Sequence, residues 1–155
     1  MTLLIDADSM HARIREIVVN AAEKRRFQIV FAANRPIPFP ASESARMDVV
    51  PDADDRLVEI CEPGDVAVTR DVPLAARLIE RGAVVLNDRG DRWDENNIGE
   101  RLSERDAAAE MREAGILPQR GKTFGRQEVF AFSNALDREL TQRGYVVSSV
   151  VEEDE

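Results

Sequence analysis

The chain has very little of what most familiar chemistries require. It contains one cysteine, one histidine, one tryptophan and one tyrosine among 155 residues. The lone Cys61 cannot close an internal disulfide or build a thiolate metal site, so no disulfide-linked partner is expected and a reducing compartment is indicated. No apolar run approaches the roughly 18 residues of a membrane span. The chain also opens at once on a strand-like run with no leader, so the expectation is a cytoplasmic protein with no membrane partner. A basic excess is missing too. The formal net charge of −9 argues against indiscriminate adhesion to nucleic acid, which needs phosphate neutralisation.

What is present suits one globular domain: 43% hydrophobic and 33% charged residues, in a chain long enough to bury a single core. That domain is expected over 1–145, followed by an acidic tail over 146–155. The charge is uneven. Residues 1–50 balance at +1, 51–100 at −7 and 101–155 at −3, and Glu152 to Glu155 are all acidic. Without those four the balance is −5, which leaves room for a local basic surface.

Thr2-Leu3-Leu4-Ile5 reads as a buried parallel strand ending in Asp6, and Ser9 is placed to cap a helix over 10–26. Gln28 to Ala33 is a second strand, closed by Asn34-Arg35. Pro36, Pro38 and Pro40 deny the next loop regular structure and suggest that it runs over the surface. Arg46 to Val50 is a weaker strand. A helix over 53–62 ends at Pro63-Gly64, Val66 to Thr69 is a strand, and Pro73 opens a helix through Arg81 that Gly82 stops. Ala83 to Leu86 is the last clear strand, with helices expected over 94–114 and 125–143. Close alternation of strands and helices predicts a three-layer α/β fold, a mostly parallel central sheet flanked by helices in the Rossmann-like manner.

In such a sheet ligands bind at the carboxyl ends of the strands. Those ends carry Asp6 and Asp8, then Asn34, then Thr69 and Asp71, then Asn87 and Asp88, while Asp54 and Asp55 open a helix from the same side. An all-oxygen set of this kind suits Mg²⁺ or Mn²⁺ rather than Zn²⁺. A lone aspartate after a strand more often caps a helix, bonds a turn or pairs with arginine. Several on one edge repel one another unless a cation is bound, which favours the ligand reading for Asp6, Asp54 and Asp71 as a set. Asp8, Asp55 and Asp88 are weaker, since Asp8 or Ser9 can cap the next helix and Asp55 suits a solvated first turn.

His11, one residue into a helix, reads as a partly exposed surface group, and Cys61 as a small core residue. Trp93 and Tyr145 are too isolated to form a base-stacking platform. The stretch Gln119 to Arg126 is the most basic, and Lys122 and Arg126 are its candidate phosphate contacts, although it also reads as an ordinary interhelix loop. Arg70 beside Asp71 and Arg35 beside Asn34 are further phosphate partners.

Taken together, Leu4-Ile5-Asp6-Ala7-Asp8, Ala32-Ala33-Asn34, Ala53-Asp54-Asp55, Pro63-Gly64-Asp65, Thr69 to Ala75 and Asn87-Asp88-Arg89-Gly90 resemble the bacterial YaiI/YqxD family, as does Arg101 to Asp106. The resemblance covers most of residues 1–115, most specifically from Gly64 to Ala75. It implies a relation to PIN and NYN domains, which are typically metal-dependent ribonucleases. It also implies that Asp6, Asp54 and Asp71 match the acidic metal positions, with Asp8 a fourth. Where the family often has Cys-Pro this chain has Met10-His11, and where it often has a further acid this chain has Pro51.

Three readings follow. The first is hydrolysis of RNA at an acidic Mg²⁺ or Mn²⁺ site, with Asp6, Asp54 and Asp71 catalytic. In it Asn34 and Thr69 position water or a phosphate oxygen, and Arg70, Lys122 and Arg126 hold the substrate. The second is a haloacid-dehalogenase-type phosphatase using Asp6 and Asp8, disfavoured because Lys24 and Lys122 are poorly placed to balance a phosphate. The third is a catalytically silent nucleic-acid- or partner-binding protein of the same fold.

Overall fold

A computed structural model describes residues 1–94, 98 and 124–144. Most of the expected helix over 94–114, with Arg101 to Asp106, lies outside the described residues, as do Lys122, Tyr145 and the acidic tail. Six strands form one sheet: β1 (Thr2–Asp6), β2 (Gln28–Ala33), β3 (Ala45–Val49), β4 (Val66–Val68), β5 (Val84–Leu86) and β6 (Arg92–Trp93). Their order is β3-β2-β1-β4-β5-β6. All neighbours are parallel except β5 and β6, which are antiparallel.

Each central strand is apolar throughout because both of its faces are covered. Leu3, Ile5, Ile29, Phe31, Val66 and Val68 point into one core, while Leu4, Val30, Ala32 and Ala67 point into the other. That alternation is the two-residue period of a pleated strand. The first core is closed by α1 (Ala12–Arg25) and α4 (Arg126–Gln142), the second by α2 (Ala53–Ile60) and α3 (Val72–Glu80). The three-layer architecture read from the strand–helix alternation is therefore the one present.

Local details differ from that reading in instructive ways. Ser9 does not cap α1. His11 does, its Nδ1 accepting the Arg13 backbone N–H at 3.1 Å. The proline-containing connection 34–44 has no regular structure, yet it is tied down rather than merely superficial. Ile37 and Phe39 pack on the α1–α4 core, and Phe39 lies 4.9 Å from the Phe31 ring. Arg15 clamps it as well, donating to the Pro38 carbonyl at 2.7 Å and to the Met10 carbonyl at 2.9 Å.

The two-residue β6 was not foreseen, because so short a strand has no periodicity to read. It is set by the turn before it, in which the Asn87 side-chain oxygen accepts the Arg89 and Asp91 N–H groups, each at 2.9 Å. Gly90 takes φ +88° there, and a Cβ would fall 2.5 Å from the Ala131 carbonyl oxygen of α4. Only glycine lets this turn press onto that helix.

Candidate functional site

The chain builds β1, β2 and β3 outward in one direction and then returns through α2 to place β4 on the other side of β1. The strand order thus reverses between β1 and β4, and a crevice opens at their carboxyl ends. Asp6, the last residue of β1, stands there and is only 5% exposed. Its Oδ2 accepts two hydroxyl bonds, from Thr69 at 2.7 Å and from Ser9 at 3.0 Å. Thr69, just past β4, is 0% exposed, and its Oγ1 also accepts the Asp71 N–H at 3.0 Å. Asp71 caps α3, its Oδ1 accepting the Leu74 N–H at 3.2 Å. One buried hydroxyl therefore joins the ends of β1 and β4 and sets the two aspartates relative to each other.

Asp54 enters on the first turn of α2. Its carboxylate has no hydrogen bond or ion pair among the described residues. Burial, followed by the charges of Asp6, Asp71 and Asp52, pushes its pKa up to about 6, against a smaller opposing pull from Arg77. Arg77 itself is paired with the neighbouring Asp55 at 2.8 Å. The Asp6 carboxyl is also raised, first by burial and then by Asp71 and Asp8, while its bonds from Thr69 and Ser9 act in the opposite direction. Asp6, Asp54 and Asp71 thus share one electrostatic neighbourhood, in which the opposing pull of Arg77 on Asp54 is outweighed.

The remaining candidates divide. Asp8 accepts the Asn34 N–H at 3.0 Å, which ties the end of β1 to the end of β2 and puts exposed Asn34 at the crevice rim. Asp88 is buried and pairs with Arg70 at 3.5 Å. Arg126 is exposed on the first turn of α4. Thr69, expected to position a water or phosphate oxygen, is instead fully buried, with its hydroxyl engaged by Asp6 and Asp71. It acts on those two residues. Cys61 is a core residue as expected, burial raises its thiol to about 11, and Trp93 lies in the same core.

Among the described residues, no three acidic, histidine or cysteine side chains are gathered closely enough to hold a metal ion as they stand. Asp8 and Asp71 each give an oxygen to a backbone N–H, and Asp55 is engaged by Arg77. Asp6 and Asp71 nonetheless each keep one carboxylate oxygen without a hydrogen bond among the described residues, and Asp54 keeps both.

Beside Asp6 lies an open cleft of about 380 Å³, lined by Asp8, Ser9, His11, Phe124, Arg70 and Arg89 among others. Four of these were not singled out from the sequence as site residues: Ser9, His11, Arg89 and Phe124. Only Ser9 had a local signal, its position three residues after Asp6. The others meet through folding.

The family model described as "Uncharacterized BCR, YaiI/YqxD family" matches residues 4–142. This chain belongs to the YaiI/YqxD family. Among curated members, a UPF0178 protein of Pseudomonas fluorescens is 42% identical over 146 residues, covering 92% of this chain and 97% of its own. A UPF0178 protein of Syntrophobacter fumaroxidans is 39% identical over 147 residues, covering 92% and 96%. One from Treponema denticola is 40% identical over 144 residues, covering 92% and 93%. Their names state no reaction. The family match spans the candidate site residues from Asp6 to Arg126. No solved structure matches the chain. Among the described residues no helix is long and apolar enough to cross a membrane.

Proposed function

We propose that this YaiI/YqxD protein is a PIN-like phosphodiesterase that hydrolyses RNA with Mg²⁺ or Mn²⁺ held by Asp6, Asp54 and Asp71, and with Asp8 at its edge. The observation that carries this reading is the Asp54 carboxylate at a topological switch point, left without a hydrogen bond among the described residues and raised to about 6 by burial and by the charges of Asp6, Asp71 and Asp52. Structural aspartates are stabilised by their neighbours, whereas this one is destabilised by them. A hard divalent cation is the partner such a set of oxygen donors fits, and the unbonded oxygens of the three carboxylates are the atoms available to it. When bound, it would supply Lewis acidity towards water and the scissile phosphate.

The chain's own groups have separable tasks in this reading. Thr69 and Ser9 hold Asp6 in one orientation through Oδ2. The Asp71 cap and the Thr69 bond to its N–H fix the start of α3. Asp54, on the first turn of α2, keeps both carboxylate oxygens for the cation, whose charge would bring its raised pKa back down. Arg70 and the exposed Asn34 stand at the rim, where flanking phosphates would pass.

A phosphatase of the aspartyl-nucleophile type is less well supported, because Lys24, the one described lysine, lines the groove between α1 and α4. The silent-module reading draws on the cap made by Asp71 and the lack of a gathered metal set among the described residues.

Calorimetric Mn²⁺ titration, paired with a cleavage assay on unstructured RNA, tests the proposal. The expected result is saturable binding and cleavage in wild type, with both lost in Asp6→Asn. Cleavage that survives in that variant, or a wild type that neither binds Mn²⁺ nor cleaves, overturns it.

A further inference from the structure

The cleft next to Asp6 has features that an acid cluster alone does not explain. His11 and Phe124 come from the start of α1 and the approach to α4, and their rings stack at 4.9 Å between centroids with 24° between planes. The imidazole is held in place through Nδ1 by the Arg13 N–H, yet it remains exposed. In the same cleft, Arg70 is anchored by Asp88 at 3.5 Å with its side chain 46% exposed. Arg89 is half-buried, and its guanidinium has no partner among the described residues. A half-buried cation left unpaired beside a solvent-filled cleft calls for an anion.

We propose that this cleft seats one unpaired nucleotide of the substrate, its base against the His11–Phe124 pair and its phosphate at Arg70 and Arg89. This rests on the phosphodiesterase reading and adds the strandedness of the substrate. At about 380 Å³ the cleft has the size of a small-ligand site and admits a single nucleotide. A base inside a duplex is stacked on both faces and cannot offer one to a protein ring, so recognition by stacking selects a single strand, loop or end. The position is right as well: Ser9, which lines the cleft, donates to Asp6, so a nucleotide held here brings its neighbouring phosphodiester to the carboxylates. The net charge of −9 adds weight, because a chain that cannot attract phosphates by its overall field needs a local pocket to hold one.

His11 is the only histidine, so its imidazole proton signals are unambiguous in an NMR titration. The probes are AMP and the base-free ribose 5-phosphate, both in EDTA so that no metal is involved. AMP is expected to shift the imidazole signals saturably and to bind about tenfold tighter than ribose 5-phosphate, the difference being one stacked base. Phe124→Leu, which keeps the apolar volume, weakens AMP several-fold and leaves ribose 5-phosphate unchanged, whereas Arg89→Gln weakens both. A five-nucleotide single strand displaces AMP, and the same sequence in a duplex does not.

Equal binding of the two probes, no saturable shift, or displacement by the duplex overturns the proposal. Because these readings need no metal, the two inferences fail separately. Absent AMP binding with intact Mn²⁺-dependent cleavage overturns the cleft alone. AMP binding without any cleavage supports the cleft and overturns the nuclease reading.

Discussion

Two aspartates, both 5% exposed, stand at opposite ends of the same sheet and have opposite surroundings. Asp65 precedes β4 at the amino ends of the strands. Its Oδ1 accepts the Thr2 N–H and its Oδ2 the Glu62 N–H, each at 2.9 Å, so one carboxylate pins the start of β1 and the end of the α2 segment together. Asp6, at the carboxyl ends, receives two hydroxyls on one oxygen and faces Asp71 and Asp8, whose charges oppose its ionisation. Burial is the same and the partners differ. The comparison teaches that a buried acid marks structure when neutral donors satisfy it, and chemistry when other acids surround it.

The largest effect that would break this contrast is at the structural end. Asp65→Ala removes the buried carboxylate that pairs the N–H groups of half-buried Thr2 and exposed Glu62, and is expected to lower stability by about 3 kcal/mol, read as a drop in the urea midpoint. If Asp65→Ala instead left stability intact and removed Mn²⁺ binding, the two ends of the sheet would have been assigned the wrong way round.

Thr69→Val comes next. It keeps the shape of the residue and removes the hydroxyl between Asp6 and the Asp71 N–H, at an expected cost of about 1–2 kcal/mol. It is also expected to weaken Mn²⁺ binding by about 10- to 100-fold through misplacement of Asp6. Stability loss without any change in metal affinity would reduce Thr69 to a structural link.

The smallest effect has the opposite sign. The Asp54 pKa rises on folding from 3.8 to about 6, so the folded protein binds that proton more tightly than the unfolded chain does. Its stabilising contribution is complete below pH 4 and is lost as pH rises through 6. Metal-free Asp54→Asn is therefore expected to be more stable than wild type at pH 7.5, by on the order of 1 kcal/mol once solvent screening is allowed for. The gap should close as pH falls to 4. Thermal melts of both proteins in EDTA across that range check it, and a variant less stable at pH 7.5 would mean that Asp54 has a favourable partner.

Much of the frame was legible in the residues. Leu3-Leu4-Ile5, Ile29 to Ala33 and Val66-Ala67-Val68 are continuous apolar runs because each strand is covered on both sides, and a covered strand has no polar alternation to confuse the reading. The aspartates at strand ends were visible for the same reason, Asp6 as the first charge after its run and Asp71 next to the first after Val66-Ala67-Val68. The capping of α1 by His11, the docking of Ile37 and Phe39 and the short β6 were not, since each depends on a neighbour from elsewhere in the chain. Asp65 could be quoted as part of a motif, but its bonds to Thr2 and Glu62 were invisible until β1 and β4 lay side by side.

The sequence by itself determined the segments of β1 to β5 and of the four described helices, that acids follow the strands, and which family the chain resembles, because burial and helix capping act over a few consecutive residues. The tertiary structure decided the rest. The order β3-β2-β1-β4-β5-β6 put Asp6 against Thr69 and within the field of Asp54, and the pressing of Gly90 onto α4 brought the turn bearing Asp88 and Arg89 against that helix. Charge repulsion and ring stacking depend on distance through space, and that distance is set only when the sheet and its two helical layers close.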